Sequence, residues 1–370
     1  MMNNKKFQTI IDCGSSKIRA GVFNEEDKNN PFFIESNFYT DQFNFKLDIQ
    51  KIIASLEKST NEYIDNIDLM LDSSKTISVA ISVFKKIEEL KLRQDDILFL
   101  IQEAKQQIKK YYSDYNIAHI IINNYKIDNV DYSELPDEID CQFISLDIIF
   151  ICLPSELVFS FKNIFSELNI SINQIICSSY AKSINYKNNL NLTGEVSFID
   201  IGFKKTSIIS FNNNKLIFSD VLPIGGNHIT KDISLLLKID INEAEKLKLN
   251  FEKNNKYTYN PNFSLEMLQK IAFARTEEIL ELCEKSLVSN TKIKTQSKMI
   301  LMGEGSKILD NKFKDKISFS KDIDFLEEAL GDVCQSGYKL RKIYDRQEVV
   351  VVPKKQIKQG FFEKLFHFFK

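Results

Sequence analysis

Tryptophan is absent from the 370 residues, and glycine (11) and proline (6) are scarce. So few breakers exclude collagen-like and Gly/Pro-rich linker architectures, which need both residues in quantity. The six cysteines, at 13, 141, 152, 177, 283 and 334, form no CxxC pair, and most fall in apolar stretches such as "IFICLP". They read as buried, reduced thiols. Three histidines, His119, His228 and His367, show no metal-ligand spacing with cysteine or acidic residues. No apolar run approaches the roughly 20 residues of a spanning helix, and "MMNNKKFQTIID" is too polar and short for a secretory signal. The expectation is a cytosolic chain that meets a membrane only through its tail. Excess charge is missing too: 49 basic against 51 acidic residues leaves a formal −2, so no basic field invites nucleic acid.

What the chain does have is core material, 43% hydrophobic residues, and length for about two to four sub-domains. "FQTIID" and "KIRAGVF" read as strands joined by "CGSS", followed by the strand "FFIESNFY" and a helix over 49–63. "ISVAISVF" opens a new block, with a helix over 95–112 whose stripe is Ile97, Leu98, Ile101, Ala104 and Ile108. Strands near 118–127 and 141–153 follow, and Pro154 marks the next helix start. The alternation restarts with strands "EVSFIDI", "TSIISF" and "KLIFSDVLPI" and helices near 228–238, 242–250 and 263–289. "KMILMG" is a further strand, and a final helix is expected over 324–340.

The two blocks begin alike. "IIDCGSSKIRAGVF" and "SFIDIGFKKTSIISF" are both a strand ending in Asp, a glycine-containing turn and a second strand, and Asp12 and Asp200 lie 188 positions apart. This repeat suggests a duplicated domain with a cleft between its halves. Turns of glycine and small hydroxyl residues expose backbone N–H groups that suit phosphate oxygens. Facing carboxylates suit Mg²⁺, a hard cation that prefers oxygen ligands, and Lys17 would add a point charge. "MILMGEGSKI" adds a strand that opens onto a helix through glycines able to approach a flat or charged ligand closely.

This order of D-x-G-S-S-K, D-x-G…T, "LPIGGNHITKDI" and G-x-G-S resembles the actin/Hsp70/sugar-kinase superfamily, and more narrowly the FtsA family of bacterial actin-like cell-division proteins. The resemblance implies an α/β, actin-like (ribonuclease H-like) fold of duplicated domains around a nucleotide cleft. It implies sub-domain 1A at 1–74, 173–193 and 325–345, an inserted 1C at 75–172, 2A at 194–229 and 297–324, and 2B at 230–296. A linker at 346–359 and an amphipathic helix at 360–370 would follow. It also implies ATP and Mg²⁺ as cofactors. Asp12, Gly14, Ser15, Ser16 and Lys17 would form the first phosphate loop, and Asp200, Gly202 and Thr206 the second, with Asp12 and Asp200 at the metal. Gly225 and Gly226 would lie beside it, Glu243 and Lys246 would approach purine and ribose, and Gly303, Gly305 and Ser306 would line the adenosine.

The second loop departs from the family's D-I-G-G-G-T-T-D. Here it reads Asp200-Ile201-Gly202-Phe203-Lys204-Lys205-Thr206-Ser207. A Cβ restricts backbone that glycine leaves free, and a phenyl ring near the γ-phosphate narrows the pocket, whereas Lys204 or Lys205 would replace lost N–H contacts with charge. The expectation is nucleotide binding with weak or absent ATPase activity, with Asp200 the one candidate for a catalytic role.

The chain closes on "GFFEKLFHFFK". On a helical wheel Phe361, Phe362, Leu365, Phe366, Phe368 and Phe369 share one arc of about 160°, and Lys364 and Lys370 fall on the other side. Eleven residues make a helix of about 16 Å, too short to cross a bilayer and suited to lying in its surface. Residues 353–370 carry a charge of +4, which favours anionic phospholipid. The combined expectation is an ATP-binding adaptor on the cytoplasmic face of the bacterial inner membrane at the division site. It would be peripheral, self-associating into filaments, holding the FtsZ C-terminal tail through 230–296 and meeting other divisome proteins. The alternatives are a pilus-type actin-like scaffold, which docks a peptide instead of lipid, and a small-molecule kinase, which needs a spare carboxylate as general base.

Overall fold

The computed structural model describes residues 7–24, 31–37, 45–88, 91–136, 139–249, 264–290, 298–307, 309, 313 and 322–346. Beyond Arg346, the expected linker and the amphipathic helix with all its membrane-facing candidates lie outside the described residues.

The first half starts with β1 (Phe7–Cys13), β2 (Lys17–Asn24), β3 (Phe32–Asn37), α1 (Phe45–Thr60) and β4 (Asn66–Leu71). An inserted block follows: β5 (Ile77–Lys86), α2 (Gln94–Tyr111), β6 (Tyr115–Ile127), β7 (Val130–Tyr132), β8 (Phe143–Pro154) and α3 (Ser155–Ser166). The chain then returns through β9 (Ser171–Cys177) and α4 (Ser178–Asn189). The second half comprises β10 (Glu195–Ile201), β11 (Thr206–Asn212), β12 (Lys215–Leu222), α5 (Gly226–Leu237), α6 (Ile241–Leu249), α7 (Leu265–Asn290), β13 (Lys298–Met302), a 3-10 turn at Glu304–Ser306, β14 (Ile323–Phe325) and α8 (Asp332–Arg346).

The halves are topological copies. One sheet has the order β3-β2-β1-β4-β9 and the other β12-β11-β10-β13-β14. In each, the first two hairpin pairings are antiparallel and the last two pairings parallel. The registers superpose in sequence. Asp12 stands opposite Arg19 on β2 and Met70 on β4, while Asp200 stands opposite Ser207 on β11 and Met302 on β13. Counting on from those pairs makes Lys17 the counterpart of Lys205, and Asp72 the counterpart of Glu304. The two turns even close alike, with Gly14 N–H donating to the Lys17 carbonyl and Gly202 N–H to the Lys205 carbonyl, both at 2.9 Å.

Apolar patterning explains the layers. α1 buries Ile49, Ile52, Ile53 and Leu56 against the first sheet, as its 3.6-residue spacing demands. α2 covers the third, antiparallel sheet, β5-β8-β6-β7, with Ile97, Leu100, Ile101, Ala104 and Ile108. Leu98, expected in that stripe, is 40% exposed, because the packed face runs through Leu100 instead. Between the halves lies one shared core. Ile10, Phe23 and Met70 meet Phe198, Phe211 and Met302 across α4 and α8, which pack on each other. The inserted sheet touches the second half through Asn123, whose amide donates to the Leu216 carbonyl, and through Lys215 to Asn124.

One expectation changes, and three elements are added. The helix expected from 324 is first a strand: β14 pairs parallel with β13, and the helix begins only at Asp332. β4, inside the first sheet, and β9, at its edge, are strands that the sequence reading passes over, as it does α4. Phe198 sits fully buried at the junction of the halves. Phe198→Ala is expected to lower unfolding free energy by about 3–5 kcal/mol, the usual cost of an aromatic-sized core cavity. Urea denaturation checks this, and a loss below about 1 kcal/mol would contradict the shared-core assignment.

Candidate functional site: the cleft between the two hairpins

The facing turns meet at their tips, where the Lys204 N–H donates to Ser15 Oγ at 3.3 Å. Behind this contact, buried side chains bridge the halves. Lys17 Nζ lies 3.1 Å from Glu304 Oε1, and Arg19 Nη2 reaches the same oxygen at 3.0 Å. Arg19 Nη1 is also 3.3 Å from Asp12 Oδ2, and the Ser178 hydroxyl donates to Asp12 Oδ1 at 2.6 Å. Across the cleft Lys205 Nζ lies 3.0 Å from Asp72 Oδ2. Between the two aspartates Lys182 Nζ sits 2.7 Å from Asp200 Oδ2 and 3.1 Å from Glu328 Oε1. Tyr186 donates its hydroxyl to that glutamate at 3.0 Å.

The electrostatics follow from burial and pairing. Burial pushes the Asp12 carboxyl above the usual carboxylate range, outweighing Arg19 and Ser178. Burial would raise Asp72 as well, but the Lys205 ammonium and the Cys177 thiol hold it below its ordinary value. Burial would lower Lys182, yet Asp200 and Glu328 raise it above its ordinary value, so it stays charged. Glu304 is opposed by burial and still held down to about 2, because Lys17, Lys307 and Arg19 surround it.

The remaining candidates are spent on the protein itself. Gly226 N–H donates to the Gly202 carbonyl and Asn227 N–H to the Phe203 carbonyl, so the start of α5 gives donors that would serve a phosphate to the second turn. A Cβ on Gly225 would lie 2.5 Å from the Gly202 carbonyl oxygen, and one on Gly305 2.7 Å from that of Ile201. Gly303, at φ +90°, abuts Asp200 and Ile201. These glycines admit neighbouring backbone. The fully buried Thr206 donates its hydroxyl to the Ile224 carbonyl at 2.7 Å, and Ser306 donates to Gly303 at 2.7 Å. Glu243 and Lys246 are exposed on the outer face of α6. The residues that enter the cleft are Glu245 and Lys248, paired at 2.7 Å. Lys248 also donates to the Gly226 carbonyl and to Thr230, and lies over the Phe203 ring. The correction is a slip of two positions, about 200° around a helix. Ala244 and Leu247, the apolar face of α6, were the signal for it.

A cavity in the cleft, lined by Ser16, Lys17, Phe203, Gly226, Glu245, Lys248 and Glu304 among others, has a volume of about 10 Å³. That is room for about one water, against roughly 300–1,000 Å³ for a small-molecule site. Among the described residues no group of three or more His, Cys, Asp or Glu is placed to hold a metal ion. Asp12 and Asp200, read as metal ligands, instead face Arg19 and Lys182. In this closed arrangement the donor set does not fit Mg²⁺ with a nucleotide, and no chemical step is assigned to either.

A depressed carboxylate pKa stabilises the fold above the unfolded-state pKa, and that stabilisation is lost as pH falls through the folded value. For Glu304 the window runs from its ordinary 4.5 down to about 2. Glu304→Gln is therefore expected to cost on the order of 3 kcal/mol near pH 7, with the gap to wild type closing as pH drops through that window. Chemical denaturation at stepped pH measures the gap. A pH-independent difference would contradict the assignment.

Comparison with known proteins extends the picture. The family model described as Cell division protein FtsA matches residues 197–306, which span the second hairpin through the 3-10 turn. A cell division protein FtsA from Buchnera aphidicola is 22% identical over 360 residues, covering 85% of this chain and 84% of that protein. Among solved structures, a PilM-PilN type IV pilus biogenesis complex superposes with a TM-score of 0.63 at 14% identity, covering 91% of this chain and 98% of that one. MreB5 of Spiroplasma citri bound to ADP gives a TM-score of 0.50 at 12% identity, covering 92–93% of this chain across its two nucleotide states and 98% of that chain. The fold is thus actin-like, a fold that generally carries a nucleotide with a divalent metal between its halves. With the family model on the second hairpin and an FtsA relative aligned along most of its length, the chain is similar to the FtsA family of actin-like cell-division proteins.

Proposed function

We propose that the chain is a division-site adaptor: actin-like units line up on the cytoplasmic face of the inner membrane, hold lipid through the tail and hold the FtsZ C-terminal tail through 230–296. The observation that carries the reading is the pairing of an FtsA-like body with the phenylalanine-faced, lysine-flanked end "GFFEKLFHFFK". One helix of that size is a marginal anchor. A row of subunits multiplies it through effective concentration. Self-association and membrane binding therefore support each other.

Within 230–296, α5 and α7 would offer a fixed platform for a peptide. α5 and α7 are clasped by Arg275, whose Nε lies 2.5 Å from Asp232 Oδ2 and Nη2 3.0 Å from Oδ1. From α5, Leu235 and Leu236 stand 77% and 56% exposed. Exposed leucines on a fixed helix suit an apolar peptide anchor. The inserted block, 75–172, is the remaining surface for other divisome proteins. In the arrangement described Asp200 is held by Lys182, so no phosphoryl-transfer step is assigned to it. The likeness to the pilus complex keeps one second reading, a scaffold that docks peptide without lipid.

Flotation with vesicles containing anionic phospholipid separates the two. The full chain is expected to float, and Phe366→Asp to weaken binding by about tenfold or more, since a buried phenyl is lost and a charge is added. A chain that stays at the bottom of the gradient would overturn the adaptor reading in favour of the scaffold. FtsZ tail peptide supplies a second check: binding should fall by about tenfold on Leu235→Asp, and full retention would move the peptide site off α5.

A further inference from the structure

We propose that this chain has replaced the nucleotide with its own side chains: two lysine cross-pairs related by the internal repeat clamp the halves permanently shut, and the closed state needs no Mg-nucleotide. The inference rests on the actin-like duplication and on none of the membrane or FtsZ contacts.

The registers carry it. Lys17 and Lys205 occupy the same place in their respective turns, and Asp72 and Glu304 occupy the same place after β4 and β13. Lys17 of the first half reaches Glu304 of the second, and Lys205 of the second reaches Asp72 of the first. One interaction is thereby made twice, in opposite directions, across the cleft. Such reciprocity ties both sides of the opening. On the midline Lys182 supplies the positive charge beside Asp200 and Glu328. Lys248, partnered by Glu245 and lying over Phe203, fills space on the far side.

Charge then excludes a polyphosphate. Each of Lys17, Arg19, Lys182, Lys205 and Lys248 already has a carboxylate partner. A triphosphate entering such a site must strip buried ions from their partners, which leaves the partners' charges uncompensated at high cost. Loss of family glycines at Phe203 and Lys204 fits the same history, since backbone freedom for a phosphate is no longer needed.

The test uses the full-length chain, purified in EDTA, with Tm and titration calorimetry as readouts and Mg·ATP and inorganic tripolyphosphate as probes. Wild type is expected to keep its Tm within about 1 °C, where a ligand at about 100 times its Kd would raise it by several degrees. The double variant Asp72→Asn, Glu304→Gln removes the cross-cleft carboxylates of Lys205 and Lys17, leaving Lys17 with the partly exposed Glu35 at 3.5 Å. It should melt lower than wild type and gain a Tm rise of several degrees with tripolyphosphate. If it fails to fold, Asp72→Asn alone carries the same expectation for Lys205. A wild-type Tm that rises with Mg·ATP, with measurable heat, overturns the inference and leaves the adaptor reading standing. Variants as stable as wild type, or unresponsive to tripolyphosphate, also overturn it.

Discussion

Everything about this molecule turns on what joins its two halves. In a duplicated fold each half folds on its own sheet, and the interface between them holds a ligand or is closed by the protein. Here buried ion pairs close it, at Lys17–Glu304, Lys205–Asp72 and Lys182–Asp200. Buried pairs add little net stability over apolar packing, because desolvation offsets attraction. Their value is geometric. Breaking Lys205–Asp72 or Lys182–Asp200 leaves a buried carboxylate without its cation, which favours one relative placement of the halves, and the apolar core across α4 and α8 supplies the bulk of the adhesion.

That placement would matter for a subunit proposed to work in rows. A filament needs each copy to present the same two ends, and a cleft that breathes would blur them. Nucleotide commonly fixes the geometry in actin-like proteins. A side-chain clamp fixes it without a fuel cycle, so assembly would be governed by surface concentration on the membrane instead of by a bound phosphate. The +4 charge of the tail segment and its phenylalanine face would then set where subunits accumulate.

Much of this was legible from residues alone, for identifiable reasons. The two hairpins announced themselves because strand alternation and an Asp-x-Gly turn recur together. The stripe of α1 could be read directly from its spacing. β4 and β9 could not, since "NIDLML" and "SINQIIC" are short apolar runs whose pairing is set by distant strands. Asp72 and Lys182 were missed with them, one at the end of an unread strand and the other in the unread α4. Arg19 had a signal: with a four-residue turn, the residue opposite Asp12 on the next strand is fixed by counting. α6 is legible as a helix, but its inward face carries Glu245 and Lys248, two positions on from Glu243 and Lys246. Phe203 reads from sequence as narrowing the pocket near a γ-phosphate. Its ring lies against Lys248, at the cavity in the cleft.

The most direct test is a distance. Spin labels on α1 and α7, one in each half, report the opening of the cleft in solution by pulsed dipolar spectroscopy. A single narrow distribution, the same with EDTA and with Mg·ATP, is the predicted result. A broad distribution that narrows or shifts when Mg·ATP is added would show that nucleotide still closes the halves, and would contradict the account.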